Sequence, residues 1–517
     1  MKVVDGFLML CCRLEEHLPT MRWGRFRFWQ VVLLALVFLL GFGIRIYDLK
    51  DPPLDFHASR QLRSAIIARG IYYRLNTQAE PAIRQAAQEL AKLEVYEPPI
   101  LETIVGFTDY LLGGEYFWLG RIYNALFWCV GGLAIFLLGN SYVSFPALLA
   151  GLSFYFFLPF SVVASRSFQP DPWMVMWILL FALALYRWSV TPSWKWAVLA
   201  GMFGGIAMLV KVMAGFFVAT ILLCVIFSML HFHNLFRTVM PWVTAVLAAL
   251  PSVLYYLLSH TQRSADFFSF WVVSLSGLVL NSNFYADWLA MLKGLMGLTT
   301  VLVALVGVLL TETRARWLLI GGWAGYVLHG LVLPYQFITH EYYHLPLVAL
   351  VALSMLAVLE VIFSALSRQG WLWRLLAVLT FVFAGFYGLY VSRSILYAAN
   401  YALEPASWQR VGQAIPEEAS FVALTADYGL RLNYYGWRST SAFWPSSADL
   451  KLFSLSGNDP MSYEKYFKEV TAGRRFFLVT AFSELDAQPE LKQILDRYPL
   501  YAEGNGFLIY DLTQAKP

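Results

Sequence analysis

The sequence predicts a polytopic α-helical membrane protein with a small α/β domain at its C-terminal end. Three observations predict it. Of 517 residues, 59% are hydrophobic and only 14% charged, with a mean hydropathy of +0.59; soluble domains have about 45–50% apolar and about 25% charged residues. The apolar residues gather in runs of the roughly 20 residues a bilayer needs. After residue 391 hydropathy falls sharply, and short strand-like and helix-like stretches alternate. A single water-soluble domain, a disordered chain and a collagen-like chain are excluded on composition. The net charge, 37 − 33 = +4, is too small over this length to make nucleic acid a partner. The 19 Trp and 29 Tyr suit the two faces of a bilayer, where amphipathic rings collect. The four cysteines, Cys11, Cys12, Cys129 and Cys224, give no disulfide framework and no CxxC metal site. Leu8-Met9-Leu10-Cys11 lacks the small residue of a lipoprotein cleavage site, so the first residues read as a cytoplasmic tail.

Taken in order, the first span covers 29–46. Lys2, Arg13, Arg22, Arg25 and Arg27 precede it and place the N-terminus in the cytoplasm. A polar outer loop, 47–117, follows. Within it, 57–75 carries Arg60, Arg63 and Arg69 at helical spacing and 81–94 has the same character; both read as amphipathic helices on the membrane surface. Residues 98–113 are apolar but short, and carry Glu102 and Asp109. Further runs at 118–139, 143–164, 172–188, 195–211, 213–231, 239–258, 289–311, 316–333, 345–366 and 373–391 bring the spans to about eleven. Arg187 and Lys195, Arg237, Arg314 and Arg316, and Arg368 and Arg374 then fall in inner loops, although the loop near Asn140 has no basic residue. Were 98–113 a span, these basic loops would all lie outside. It therefore reads as an interfacial helix on the outer face. In the last region Phe421–Thr425, Arg475–Thr480 and Gly506–Asp511 read as strands and Pro489–Tyr498 as a helix. The expected division is 1–391, a membrane domain that includes the outer loop, and 392–517, an extracytoplasmic α/β domain. The expected location is the plasma (inner) membrane.

On this topology Asp55, His57, Arg60, Glu97, Arg166, Asp171, Lys211, His340, Glu341, Tyr342, Tyr343 and His344 share the outer face close to helix ends. Ionisable residues at membrane boundaries are costly and often functional. Carboxylates beside several cations suit a phosphate-linked substrate and a base. Each residue also has a structural reading. Asp55, after Pro52-Pro53-Leu54, and Asp171, between Pro170 and Pro172, are good helix caps. Lys211 ends an apolar stretch and can snorkel to the interface. Arg166 can be an anchor, Glu97 a loop charge, and His340 and His344 locally bonded loop residues. The functional reading needs Asp55, Asp171 and Lys211 to converge in one extracytoplasmic cavity. In the last region Asp427, Arg431 and Tyr434-Tyr435-Gly436-Trp437 read either as a sugar-stacking cluster or as ordinary domain core.

In serial order these residues resemble the GT-C glycosyltransferases that use a polyprenyl-phosphate sugar, among them the protein O-mannosyltransferases and the lipid A aminoarabinose transferase. The resemblance runs through Pro53-Leu54-Asp55, then Glu97-Pro98-Pro99-Ile100, then Gly113-Gly114-Glu115. It continues through Leu119-Gly120-Arg121 and Asn124-Ala125-Leu126, Ser165 to Asp171, Ala207 to Lys211, and Tyr342-Tyr343-His344-Leu345-Pro346. It covers roughly 30–350. It departs where relatives often carry a basic residue before the paired prolines and this chain has Glu97, and where Phe56 and His57 rather than Glu follow Asp55. The resemblance implies transfer of a sugar from a polyprenyl-phosphate donor to an acceptor hydroxyl on a lipid, glycan or protein, with inversion. It implies Asp55 as general base with Asp171 as a second catalytic carboxylate. Lys211, Arg166 and Arg60 would bind donor phosphate. Glu97, His57, His340, Glu341, Tyr343 and His344 would serve a divalent metal (Mg or Mn) or the acceptor. A secondary transporter or a non-catalytic envelope assembly protein remains the alternative; against the transporter, no repeat is visible and the charges gather at one face.

Overall fold

The computed structural model describes residues 26–93, 97–229, 238–259, 266, 268–440, 442–456 and 462–514. Cys11, Cys12 and the basic residues Lys2, Arg13, Arg22, Arg25 and Arg237 lie outside the described residues. The chain begins with α1 (Phe28–Arg45), followed by α2 (Ala58–Leu75), α3 (Pro81–Leu90) and α4 (Ile100–Leu112). Then come α5 (Trp118–Gly139), α6 (Phe145–Phe157), α7 (Pro159–Arg166), α8 (Asp171–Val190), α9 (Trp194–Val210), α10 (Ala214–Met229) and α11 (Val239–Ser259). The membrane region ends with α12 (Ser282–Met296), α13 (Leu298–Leu310), α14 (Thr313–Val332), α15 (Leu345–Ser367) and α16 (Trp371–Ala398).

Each expected apolar run is helical over its described residues, but not each is a straight span. Among the described residues six helices are long and apolar enough to cross a membrane, and two bent pairs raise the number to 8. The short helices α9 and α10, of 17 and 16 residues, account for part of the shortfall from the expected count. The span expected at 289–311 is not one straight helix: α12 and α13 meet at 93°. Gly297 makes the corner at φ +80°, ψ 135°, a conformation open to glycine. The span expected at 143–164 breaks by 57° between α6 and α7. Pro159 has no N–H, so the Tyr155 carbonyl loses its helical donor. The Ser161 hydroxyl at 2.7 Å and Trp128 Nε1 at 3.3 Å donate to it instead. Arg45 of α1 donates to the Phe156 carbonyl at 3.0 Å.

The described chain forms two compact units, and the division is not a single cut at residue 391. One takes the residues up to Leu49, 96–98 and Arg121–Ala398; the other takes 50–95, Pro99–Gly120 and Ala399–Pro517. The outer-loop helices thus group with the C-terminal domain, which hydropathy does not register because it sees composition rather than packing. In the first unit α8 and α15 are interior, whereas α1, α11 and α16 leave large apolar side chains such as Leu39, Leu258 and Phe383 exposed, as a lipid-facing helix does.

In the second unit α2 buries one face against α3 and α4. Gly106 allows the close crossing: a Cβ there would meet the Ala68 carbonyl oxygen at 2.6 Å. The C-terminal part contains α17 (Glu404–Ala414), β1 (Phe421–Leu424), α18 (Leu430–Gly436), β2 (Ala442–Phe443), α19 (Ser447–Leu455) and α20 (Tyr463–Thr471). It ends with β3 (Phe476–Val479), α21 (Pro489–Leu495), β4 (Leu500–Gly504) and β5 (Phe507–Asp511). The sheet order is β2-β1-β3-β5-β4, with β2, β1 and β3 parallel and β5 and β4 antiparallel. Every residue of β1 and β3 is buried, as central strands covered on both faces must be. Val422, Trp444, Phe467, Phe477 and Leu491 make the core. The three strands read from the sequence are present; β2 and β4 are additional.

Candidate functional site

The first unit buries an ion pair where two helices end. Asp171 is the first residue of α8, flanked by Pro170 and Pro172, which pre-set the turn into the helix and leave the carboxylate at the positive end of its dipole. Lys211 follows the last residue of α9 with an extended backbone, φ −157° and ψ 119°. Lys211 Nζ lies 2.8 Å from Asp171 Oδ1, with side chains 3% and 1% exposed. Nζ also faces the rings of Tyr342 and Tyr343, at 4.8 and 5.0 Å from their centroids. Neither structural reading describes the pair. The cap position of α8 is Pro170, and the lysine is buried on a carboxylate rather than snorkelling. Nor does stability explain it well. A buried pair offsets its desolvation only when its remaining atoms are hydrogen-bonded, and Asp171 Oδ2 has no partner.

The surroundings are polar and tightly organised. Asn124 of α5 donates from Nδ2 to the Ser167 and Gln169 carbonyls at 2.5 and 2.9 Å, which shapes the approach to Asp171. The Gln169 side chain is fully buried, and neither its oxygen nor its nitrogen has a partner. Arg166 and Arg121 donate to the carbonyls of Asp48 and Leu49, each at 3.0 Å, and so hold the segment that leaves α1. This is the anchoring reading of Arg166. His329 of α14 packs on Tyr343, ring centroids 5.4 Å apart. His344 is fully engaged: its Nε2 meets the Phe337 carbonyl at 2.7 Å and its Nδ1 the Tyr326 hydroxyl at 2.7 Å. A carbonyl only accepts, so Nε2 carries the proton and Nδ1 accepts from the tyrosine. His344 therefore builds the wall and has no nitrogen left for a metal. His340 Nδ1 pairs with the Thr339 hydroxyl at 2.8 Å, and its ring stands edge-on to Tyr342 and Tyr343. Glu341 is half-buried in the same turn, and Glu97 is half-buried ahead of the paired prolines.

Three expected residues belong to the second unit. Asp55 accepts from Gln61 Nε2 at 2.9 Å, and the same nitrogen donates to the Phe56 carbonyl at 2.8 Å. The cap of α2 is His57, not Asp55; His57 takes a left-handed φ of +46°, with its ring edge-on to Phe56. Arg60 is half-buried in the first turn of α2. Of the three residues needed together, Asp171 and Lys211 are paired in one unit and Asp55 stands in the other. The aromatic cluster of the C-terminal part serves packing. Arg69 of α2 lies under Tyr434 at 3.9 Å and Trp437 at 4.5 Å, pairs with Glu115 at 2.7 Å, and donates to the Tyr434 carbonyl at 2.7 Å. Arg431 pairs with Asp427 at 2.5 Å and Glu404 at 3.3 Å.

Among the described residues no three His, Cys, Asp or Glu side chains converge on a metal position. Asp171 Oδ1 is taken by Lys211 and both nitrogens of His344 are bonded, so neither supplies a ready metal ligand set. Sequence reasoning named Asn124 and Gln169 only within the motifs of the resemblance and passed over His329 and Arg45. The available signal was a polar residue inside an apolar run or at its edge.

Residues 96–258, which contain Asn124, Asp171 and Lys211, match the family model of dolichyl-phosphate-mannose-protein mannosyltransferases. No curated protein matches the chain in sequence. Solved structures match over nearly its whole length. ArnT from Cupriavidus metallidurans bound to undecaprenyl phosphate is 14% identical, with a TM-score of 0.57, covering 95% of this chain and 99% of that one. The archaeal oligosaccharyltransferase AglB from Archaeoglobus fulgidus, in complex with an inhibitory peptide and a dolichol-phosphate, is 12% identical with a TM-score of 0.56, covering 94% of this chain and 74% of that one. The Archaeoglobus fulgidus oligosaccharyltransferase in complex with Zn and sulfate is 13% identical with a TM-score of 0.55, covering 93% and 73%. The chain therefore has the fold of the GT-C glycosyltransferases, and a third of its length carries the mannosyltransferase family pattern.

Proposed function

We propose that this protein is a membrane glycosyltransferase that moves a sugar from a polyprenyl-phosphate donor to an acceptor hydroxyl on the extracytoplasmic side of the plasma membrane. The observation that carries the reading is the buried Lys211–Asp171 pair against Tyr342 and Tyr343, in a chain of this fold. A lipid-linked donor keeps its tail in hydrocarbon, so its phosphate needs a cation at the depth where membrane helices end. Structures of ArnT with undecaprenyl phosphate and of AglB with dolichol-phosphate support this donor class.

The reaction balances without a cofactor. The acceptor oxygen attacks the anomeric carbon, and its proton passes to the Asp55 carboxylate. The bond from the anomeric carbon to the phosphate oxygen breaks, and its electron pair stays on the phosphate. The products are the glycosylated acceptor, inverted at the anomeric centre, and the polyprenyl phosphate. Lys211 opposes the charge that grows on the leaving group. Asp171 holds the ammonium in place. Glu97, His57, His340 and Glu341 are the acceptor-side candidates. The N-terminus lies in the cytoplasm.

Purified protein offered a radiolabelled polyprenyl-phosphate sugar tests the reading. Transfer, or slow hydrolysis without an acceptor, supports it. Uptake into vesicles with the donor intact would instead make the protein a transporter.

A further inference from the structure

We propose that His329 is a donor-binding residue: an uncharged imidazole that hydrogen-bonds the phosphate of the lipid-linked donor beside Lys211. The inference rests on the glycosyltransferase reading above and adds a residue to it.

His329 stands on the last turn of α14 and is 1% exposed. Aromatic rings enclose it: Phe216 stacks on it at 5.1 Å, and Phe217, Phe337 and Tyr343 pack at 6.1, 5.0 and 5.4 Å. Neither Nδ1 nor Nε2 has a hydrogen-bond partner. The fold satisfies the neighbouring buried imidazole of His344 on both nitrogens. His329 is the one left with its donor and acceptor capacity unspent, in a place where a phenylalanine would pack as well.

Its position says what would use that capacity. The Tyr343 ring touches His329 on one contact and Lys211 Nζ on another, the latter at 5.0 Å. Phe216 and Phe217 lie on the first turn of α10, just after Lys211. The cluster therefore gathers an ammonium, a carboxylate with Oδ2 unpartnered, and an imidazole with two open nitrogens. A neutral imidazole always carries one N–H and one lone pair. Phosphate oxygens accept only, so the N–H goes to the phosphate that Lys211 attracts, and the lone pair suits a hydroxyl of the attached sugar.

The test measures binding by the full chain in detergent, using a polyprenyl phosphate, the matching polyprenol and inorganic phosphate as probes. Wild type should prefer polyprenyl phosphate to polyprenol. In H329F, which keeps the aromatic packing and the thermal midpoint, affinity for polyprenyl phosphate should fall at least tenfold while polyprenol binding is unchanged. H329N or H329Q, which return an amide N–H, should restore part of the loss. H329L gives the same ratio independently if H329F does not fold. Undiminished preference for polyprenyl phosphate in H329F or H329L overturns the inference and leaves the proposed function standing. Equal loss of both lipids also overturns it, because that is a packing role. Wild type that binds inorganic phosphate as well as the lipid refutes the donor assignment. Wild type that shows no preference between the two lipids overturns the proposed function itself.

Discussion

Replacing Lys211 with Met separates the two roles of the buried pair. The substitution leaves the Asp171 carboxylate 1% exposed with neither oxygen paired, since Oδ2 has no partner and Oδ1 loses Nζ at 2.8 Å. Removing one member of a buried pair costs about 3–5 kcal/mol. Adding Asp171→Asn removes the orphaned charge, and neutral replacement of both members of such a pair is often close to neutral. The double variant should therefore lie within about 1–2 kcal/mol of wild type, recovering roughly 2–3 kcal/mol of what Lys211→Met alone loses. Unfolding midpoints of the full chain in one detergent read this recovery. Activity should not follow it. Losing a charge-stabilising donor at a developing anion costs about 10²–10³ in turnover, and the double variant should show that loss although its fold has recovered. A Lys211→Met protein as stable as wild type would refute the buried pair. A double variant with wild-type turnover would refute the phosphate role.

Asp55→Asn should abolish transfer while membrane insertion and the unfolding midpoint stay at wild-type values, because Gln61 still finds a side-chain oxygen at 55; wild-type turnover would remove Asp55 as the base. Arg69→Ala should cost about 2–4 kcal/mol by losing charge-assisted bonds to Glu115 and the Tyr434 carbonyl, and should raise hydrogen exchange in both α2 and α18; exchange raised in only one would mean the helices are not coupled through it. Burial, helped by the charge of Glu115 and opposed by the Tyr116 amide, pushes the Asp109 carboxyl up to about 7. Its folded pKa is above its unfolded one, so this contribution to stability is complete below about pH 4 and is lost as pH rises through about 7. The melting midpoint should drop across that window in wild type and less in Asp109→Asn; equal slopes would count against the assignment.

The helices were legible because a run of apolar residues states its own solvent. The bends were less so. At Gly297 the corner is a backbone angle that the run Leu295 to Val301 does not announce. The strand β4 was missed because it is mostly exposed, and β2 because it is two residues long. That the outer-loop helices join the C-terminal domain rests on contacts such as Arg69 with Tyr434, separated by 365 residues, and no local pattern reports those. In the site, Asp171 and Lys211 were legible because a charge at the edge of an apolar run demands an explanation. His344 carried the same signal as a catalytic residue and is saturated. His329 carried the weaker signal of a single polar residue inside a long apolar helix, with no charged neighbour in sequence to mark it.

The irregular backbone of the first unit distinguishes structural polar residues from those that serve chemistry. In hydrocarbon each helix break must be satisfied from within the protein. At the break before Pro159 the Tyr155 and Phe156 carbonyls are both satisfied from within the protein. All three guanidinium nitrogens of Arg45 donate: Nε to Ser165 at 2.6 Å, Nη2 to Ser161 at 3.0 Å, and Nη1 to the Gly41 and Phe156 carbonyls at 2.7 and 3.0 Å. Four of its five N–H groups are spent within the protein. At the start of α8 the backbone is satisfied by Asn124, yet Gln169 and Asp171 Oδ2 keep unspent capacity. Spent donors fit a structural role for Arg45, and unspent capacity at Gln169 and Asp171 fits the proposed site. Arg45→Lys tests the distinction, because an ammonium cannot reproduce the planar set of four bonds. It should destabilise by about 1–3 kcal/mol and lower the yield of folded protein. Turnover per folded molecule, counted by a fold-dependent gel-filtration peak, should stay within about twofold of wild type, a difference well under the roughly 1.4 kcal/mol of a tenfold effect. A hundredfold loss of turnover in protein that is fully folded would make Arg45 part of the chemistry.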